Sequence, residues 1–135
     1  MAKQTIVPNG MVAPIAPYSW ATRTGNLIFV SGQAALDRDG QIVGPGDIRR
    51  QTEQTLENIR ITLDAAGATF DDVVRTTVYL TDTEKYAGMN EVYRRYFPEH
   101  PPARATLLTG LVVPGLLVEI DAIAALDSST DASRG

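Results

Sequence analysis

The sequence has 135 residues, 44% hydrophobic and 21% charged, which fits one soluble domain with a substantial core. No apolar run reaches the roughly 18 residues that a membrane span needs, and the absence of cysteine excludes disulfides, thiolate nucleophiles and cysteine metal sites. The net charge of −4, with basic residues scattered along the chain, disfavours a nucleic-acid partner, and the single histidine, His100, excludes a multi-histidine metal site.

The first half of the sequence predicts a β-hairpin followed by a long helix. Leu27–Gln33 is typical of a buried strand, and Asp39-Gly40 is a hairpin signal that leads to a second strand at 41–43. From Asp47 to Ala66, apolar residues recur at three- and four-residue intervals. Asp47 can serve as the N-cap of this helix, and Gly67 follows the expected C-cap.

The second half predicts a strand, a helix and two further strands. Val73–Leu80 is rich in β-branched residues that alternate along a strand. A second helix begins near Asp82-Thr83, where either side chain can cap, and Pro98 ends it. Its apolar stripe consists of Tyr86, Met89, Tyr93 and Phe97. Two more strands are expected near 103–109 and 116–125.

These elements follow one another as ββαβαββ, which indicates a single α+β domain over residues 1–126. We expect one mixed β-sheet with two helices on one face, and a disordered polar tail at 127–135. The second sheet face would carry polar groups beside apolar ones, so another subunit should cover it, with pockets at the seams between subunits. The expected polar occupants of that face are Thr77, Tyr79, Arg104, Thr106 and Glu119.

Arg104 and Glu119 are the main candidates for chemistry. Alternation along their strands, with a turn at Pro114-Gly115, predicts that they share one sheet face if the two strands pair as a hairpin. A guanidinium presents paired donors to a carboxylate, and a carboxylate can orient a water and accept its proton. Alternatively, Arg104 forms an ion pair with Glu119 or Asp121. For Asp121 itself we favour a structural or solvated role.

The chain resembles the reactive intermediate deaminases of the Rid/YjgF family from about residue 5 to residue 125. The resemblance rests on Pro17-Tyr18, Gly25-Asn26-Leu27, Ser31-Gly32-Gln33, Leu56-Glu57-Asn58, Thr76-Thr77-Val78, Asn90-Glu91-Val92-Tyr93, Pro102-Ala103-Arg104 and Val118-Glu119-Ile120, in the family's order and spacing. Two local features, residues 14–17 and 110–112 before Pro114, are more similar to the RutC-like aminoacrylate deaminases of pyrimidine breakdown than to the housekeeping imine deaminases.

This resemblance implies a chorismate-mutase-like fold and homotrimers with clefts between neighbouring subunits. It implies hydrolysis of 2-imino or 2-enamino acids, such as 2-aminoacrylate, to 2-oxo acids and ammonia, without metal or organic cofactor. Arg104 would hold the substrate carboxylate, and Glu119 would act on the attacking water. The implied substrate-binding residues are Tyr18, Ser31, Gly32, Tyr86, Asn90 and Thr106.

Simpler explanations exist for these binding residues when the resemblance is set aside. Tyr18 and Tyr86 could be packing aromatics, Asn90 a helix-surface amide, and Ser31-Gly32 a strand end. Thr106 stands where the family commonly has cysteine, and Trp20 puts a large side chain beside the implied site.

The substrate, the pathway and a regulatory role therefore stay open. A cleft that binds 2-oxo acids or amino acids without turnover is one alternative, and deamination of a larger substrate such as 2-aminomuconate is another. RNA cleavage, also attached to some family members, is disfavoured by the acidic charge. The first residues lack a secretory signal, so we expect a cytoplasmic protein with no membrane partner.

Overall fold

A computed structural model describes residues 3–11, 14 and 16–127 of the chain. In this part, six strands form one mixed sheet, and two α-helices pack against it. The strands are β1 (Gln4–Ile6), β2 (Ala21–Thr24), β3 (Leu27–Ala34), β4 (Val73–Leu80), β5 (Ala103–Leu108) and β6 (Val118–Ala125), and the helices are α1 (Ile48–Ala65) and α2 (Tyr86–Tyr96). The sheet order is β1-β2-β3-β6-β4-β5, so the predicted α+β class with a single mixed sheet is confirmed.

The helices form where the sequence signals predict them. Asp47 caps α1, since its carboxylate accepts from the Arg50 N–H at 3.1 Å. Gly67 follows the C-cap with a φ of 78°, a conformation that glycine adopts without steric cost. Asp82 caps a short 3₁₀ turn, Thr83–Lys85, that leads into α2. Both helices bury their apolar sides on the same sheet face, as predicted.

The last two strands do not form the predicted hairpin. β4 lies between them, pairing parallel to β5 and antiparallel to β6. Because the connection from β5 to β6 runs over residues 109–117, it is longer than a tight hairpin turn and passes β4. The prediction was wrong because alternation along a strand specifies which side chains share a face, but not which strand is the partner.

This register places Arg104 and Glu119 on opposite faces of the sheet. Arg104 is the neighbour of Thr76 on β4, and Glu119 is the neighbour of Tyr79. Positions 76 and 79 are an odd number of residues apart, so their side chains point to opposite sides. Thr106, two residues after Arg104, shares the helix-covered face with it. The expectation that Arg104 and Thr106 occupy the open face with Glu119 is therefore wrong.

The N-terminal half also differs from the prediction. β3 forms its hairpin with β2, through Gly25-Asn26. Residues 41–43 are not a strand, because only Leu36 and Ile42 bridge around the Asp39-Gly40 turn. β1 and β2 are short and half polar, which is why they gave little sequence signal. The predicted tail lies outside the described residues from 128 onward, and no helix of the described part is long and apolar enough to cross a membrane.

Candidate functional site

Arg104 lies on β5, at an edge of the sheet, with helix α2 on the same face. Its Nη1 donates to Asn90 Oδ1 at 2.8 Å, and its Nη2 donates to the Tyr86 hydroxyl at 3.2 Å. Its Cζ lies 4.8 Å from the centroid of the Tyr93 ring. No carboxylate forms an ion pair with this guanidinium among the described residues, so the alternative of a bond to Glu119 or Asp121 is not realised within one chain. The cation is held by neutral partners.

An open depression of about 360 Å³ lies beside this guanidinium. It is lined by Tyr86, Asn90, Tyr93, Arg94, Phe97, Pro101, Pro102 and Arg104. Two of these side chains are cations and none is an anion. The depression is therefore suited to a small anionic ligand with an apolar part.

Tyr86 is the first residue of α2 and is 45% exposed. A hydrogen bond with Asn90 lowers the pKa of its phenol, and the positive charge of Arg104 lowers it further. The phenol is therefore a better hydrogen-bond donor than an ordinary tyrosine. Its position supports a ligand-contacting role rather than the core packing that the apolar stripe suggested.

Glu119 lies on the open face, on β6. Burial raises the pKa of its carboxyl, and the nearby charge of Asp121 raises it further. Among the described residues, Glu119 accepts no hydrogen bond from a side chain. Asp121, in contrast, accepts from the Thr77 N–H and from the Tyr79 hydroxyl, both at 3.1 Å. Asp121 thus has the structural role that we favoured, whereas the Glu119 carboxylate stays available.

Glycine at position 32 makes room for this carboxylate. The pairing of β3 with β6 shifts register between Val30 and Gln33, which leaves Ser31 and Gly32 in a bulge beside Glu119. A Cβ atom at position 32 would overlap the Glu119 carboxylate oxygen and lie 2.9 Å from its Cδ. Only glycine lets the carboxylate approach the strand backbone this closely.

Ser31 anchors the segment that carries Tyr18. The Ser31 hydroxyl donates to the Ser19 carbonyl at 2.6 Å, and the Ser31 N–H donates to the Trp20 carbonyl at 3.0 Å. In this arrangement the Ser31 oxygen can only accept from a ligand. Tyr18 is 56% exposed, so it does not pack in the core of this chain.

The predicted site residues therefore fall into two groups. The cationic half-site consists of Arg104, Asn90 and Tyr86, with Thr106 about 6.5 to 7 Å further along β5. The carboxylate half-site consists of Glu119, Gly32 and Ser31, and Tyr18 belongs to the segment that Ser31 anchors. The two half-sites lie on opposite faces of the sheet, so one chain does not bring them together. Sequence reasoning missed the contact of Tyr93 with Arg104, although its spacing from Tyr86 and Asn90 places it on the same helix face.

Comparisons with known proteins show a family match and relatives with a similar fold. The family described as Endoribonuclease L-PSP matches residues 9–126. A RutC family protein of Pyrococcus abyssi is 44% identical over 124 residues, which cover 92% of this chain and 98% of the relative. The crystal structure of RidA from the Antarctic bacterium Psychrobacter sp. PAMC 21119 is 35% identical with a TM-score of 0.84, covering 91% of this chain and 99% of that one. The crystal structure of Escherichia coli TdcF, which contains bound serine, is 31% identical with a TM-score of 0.83, covering 92% and 99%.

Proposed function

This chain belongs to the endoribonuclease L-PSP family, also known as Rid/YjgF, and we propose that it is a hydrolytic deaminase of small reactive 2-imino or 2-enamino acids. The products are a 2-oxo acid and ammonia. The observation that carries the proposal is the guanidinium of Arg104, which has no carboxylate partner among the described residues and lies beside an open depression.

The cationic half-site supports recognition of a carboxylate. Asn90 and Tyr86 each occupy one N–H group of Arg104, and further N–H groups stay available to a ligand. A carboxylate is the small anion that matches paired guanidinium donors. The acidified phenol of Tyr86 adds a donor at the same place. The bound serine of the TdcF relative is a ligand of this class, since it carries an α-carboxylate.

A complete site in this proposal combines half-sites from two copies of the chain. The open sheet face that carries Glu119 also exposes Phe29 to 40% and Leu27 to 37%, an apolar surface that a second copy can cover. We propose a homotrimer, the assembly that the family resemblance implies, with equivalent clefts between neighbouring subunits. Each cleft would join the cationic half-site of one subunit to the carboxylate half-site of the next.

The reaction begins with a protonated imine whose carboxylate is bound to Arg104; an imine reaches this form by taking a proton from solvent on nitrogen, and an enamine by taking one on carbon. Glu119 accepts a proton from water as the water oxygen bonds to the iminium carbon, and the C=N π electrons move to nitrogen. The resulting carbinolamine then receives the Glu119 proton on nitrogen and releases ammonia. Loss of the hydroxyl proton to solvent forms the 2-oxo group and returns the proton taken up at the start, so one water is consumed overall. The raised pKa of Glu119 makes its carboxylate a stronger base than an ordinary glutamate.

A coupled assay with freshly generated 2-aminoacrylate tests this proposal. Wild type should release pyruvate and ammonia faster than buffer. Arg104→Ala should raise KM about 100-fold, because two charge-assisted hydrogen bonds to the carboxylate are lost. Glu119→Gln should lower kcat about 100-fold or more, because the amide cannot accept the water proton.

Matched controls remove one charge of each kind elsewhere. Arg95→Ala deletes an exposed α2 cation, 3.7 Å from Glu91, and Glu84→Gln neutralises an exposed carboxylate. Both should keep wild-type kinetics. If wild type and Arg104→Ala both release pyruvate at the buffer rate, the enzymatic proposal is wrong.

The bound serine of TdcF also favours a second candidate, a module that binds small amino or 2-oxo acids without turnover. Isothermal titration with serine and pyruvate separates the two. Saturable, Arg104-dependent binding together with no product formation would favour the binding module. The name of the matched family raises RNA cleavage as well, but the net charge of −4 opposes a polyanionic substrate.

A further inference from the structure

Tyr93 is a buried tyrosine of α2 with no part in the proposed reaction, yet it contacts the main ligand-binding cation. It is 6% exposed, and the face of its ring lies 4.8 Å from Arg104 Cζ. Its hydroxyl forms a hydrogen bond of 2.7 Å with Oγ1 of Thr76, which is 1% exposed. Thr76 is also the register neighbour of Arg104 on the adjacent strand. The three side chains therefore form one contiguous unit.

The ring of Tyr93 is restrained on two sides. Thr76 holds the hydroxyl, and the Phe97 ring packs against the tyrosine ring with centroids 4.7 Å apart. Both members of the hydroxyl pair are buried, so losing either partner leaves an unsatisfied polar group. Burial also raises the pKa of Tyr93, so its ring is uncharged at neutral pH. The result is a flat, neutral surface with a fixed orientation beneath the guanidinium.

We propose that Tyr93 is a positioning residue, whose ring, fixed by Thr76, sets the plane of the Arg104 guanidinium so that its remaining N–H groups face the depression. Bidentate contact with a carboxylate depends on that plane. An acidic partner could also hold the arginine, but it would compete with the ligand for its charge. Stacking on the Tyr93 ring orients the Arg104 guanidinium, and Asn90 and Tyr86 accept its hydrogen bonds without carrying a charge. The positive charge therefore stays available to pair with an anionic ligand. This inference rests on the proposed role of Arg104.

The test compares Tyr93→Leu, Tyr93→Phe and Thr76→Val with the control Tyr96→Phe. Tyr96 belongs to the same helix, and its hydroxyl donates to a different partner, Glu57, at 2.6 Å. KM and kcat are measured with freshly generated 2-aminoacrylate, and Kd with pyruvate by calorimetry.

Tyr93→Leu should raise KM and Kd about 3- to 30-fold, the range of a partly desolvated cation–π contact. Its kcat should change less than about threefold, since the groups that move protons are untouched. Tyr93→Phe and Thr76→Val both keep an aromatic ring at position 93 but remove the hydrogen bond that fixes its orientation. Each should therefore raise KM about threefold. Tyr96→Phe should leave KM and Kd unchanged.

A coupling measurement separates positioning from general destabilisation. Lysine at position 104 is a point charge without a plane to set. In the Arg104→Lys background, Tyr93→Leu should therefore raise the pyruvate Kd less than about twofold. The inference is overturned if Tyr93→Leu raises the pyruvate Kd by the same factor in the wild-type and Arg104→Lys backgrounds. It is also overturned if Tyr93→Leu lowers kcat by as large a factor as it raises KM.

The failure of this inference is distinguishable from failure of the proposed function. Wild-type turnover that depends on Arg104 but is insensitive to Tyr93→Phe and Thr76→Val overturns the positioning role alone. Wild type that neither turns over 2-aminoacrylate nor binds pyruvate overturns both. If Tyr93→Leu does not fold, the Tyr93→Phe and Thr76→Val variants decide the question by the same criteria.

Discussion

Replacing Gly32 by alanine gives a direct test of the carboxylate half-site, because the substitution acts on the position of Glu119 and on little else. The added Cβ would lie 2.9 Å from Glu119 Cδ and 3.2 Å from its Cγ, and it would overlap a carboxylate oxygen. The φ of Gly32 is not in the left-handed region, so the backbone accepts alanine without strain. The glutamate side chain is therefore the group that moves.

The size of the effect follows from these distances. Ordinary contacts begin near 3.4 Å, so the carboxylate must retreat by about 0.5 to 1 Å. A displacement of about 1 Å from a catalytic position can cost about 100-fold in rate. Stability should change little, since alanine is favoured over glycine in a strand by about 0.5 to 1 kcal/mol and this offsets the displaced side chain. We expect kcat to fall about 100-fold while Tm stays within about 4 °C.

The coupled pyruvate assay and a thermal melt measure both quantities. Gly110→Ala is the matched control, because a Cβ there meets no atom within 4 Å and the φ is not positive. It should behave as wild type. If Gly32→Ala keeps the wild-type kcat, the position of Glu119 does not matter for the reaction, and its catalytic assignment is wrong.

Three further predictions address acidity, stability and assembly. Activity should fall as pH drops through the pKa of Glu119, because the protonated carboxyl cannot act as a base. The charge of Asp121 contributes to the raised pKa of Glu119, so Asp121→Asn should move this acid limb of the kcat/KM profile to lower pH. An unmoved limb would argue against Glu119 as the titrating base. Asn58 is buried and donates to the carbonyls of Ala34, at the end of β3, and Leu36, in the following loop, both at 2.9 Å. Asn58→Ala should therefore lower the free energy of unfolding by about 2–4 kcal/mol in urea titrations, and a loss under about 1 kcal/mol would contradict this prediction. Phe29→Asp places a charge on the exposed apolar sheet face and should give the 14.6 kDa monomer in light scattering, in place of the proposed homotrimer, with loss of activity; a retained oligomer would exclude this face as the interface.

Local signals determined both helices and most of the strands, but not β1 and β2. Three signals within one segment predicted α1, and the structure reproduces them. They are the 3.6-residue period over residues 48–65, the N-cap at Asp47 and the glycine at position 67. The same holds for β4, whose β-branched run needs no partner to be recognised. Family motifs, which are also short and local, identified Arg104 and Glu119 by residue type.

Only the tertiary structure decided how those residues are placed. Alternation gives every strand two faces, but the insertion of β4 between β5 and β6 sets which faces coincide, and it separates Arg104 from Glu119. The contact of Tyr93 with Arg104 and the fit of the Glu119 carboxylate against Gly32 depend in the same way on elements distant in sequence. The physical reason is that helix periodicity and capping are interactions between near neighbours along the chain. Strand order, in contrast, results from burying apolar faces across the whole sheet, which no short segment of sequence encodes.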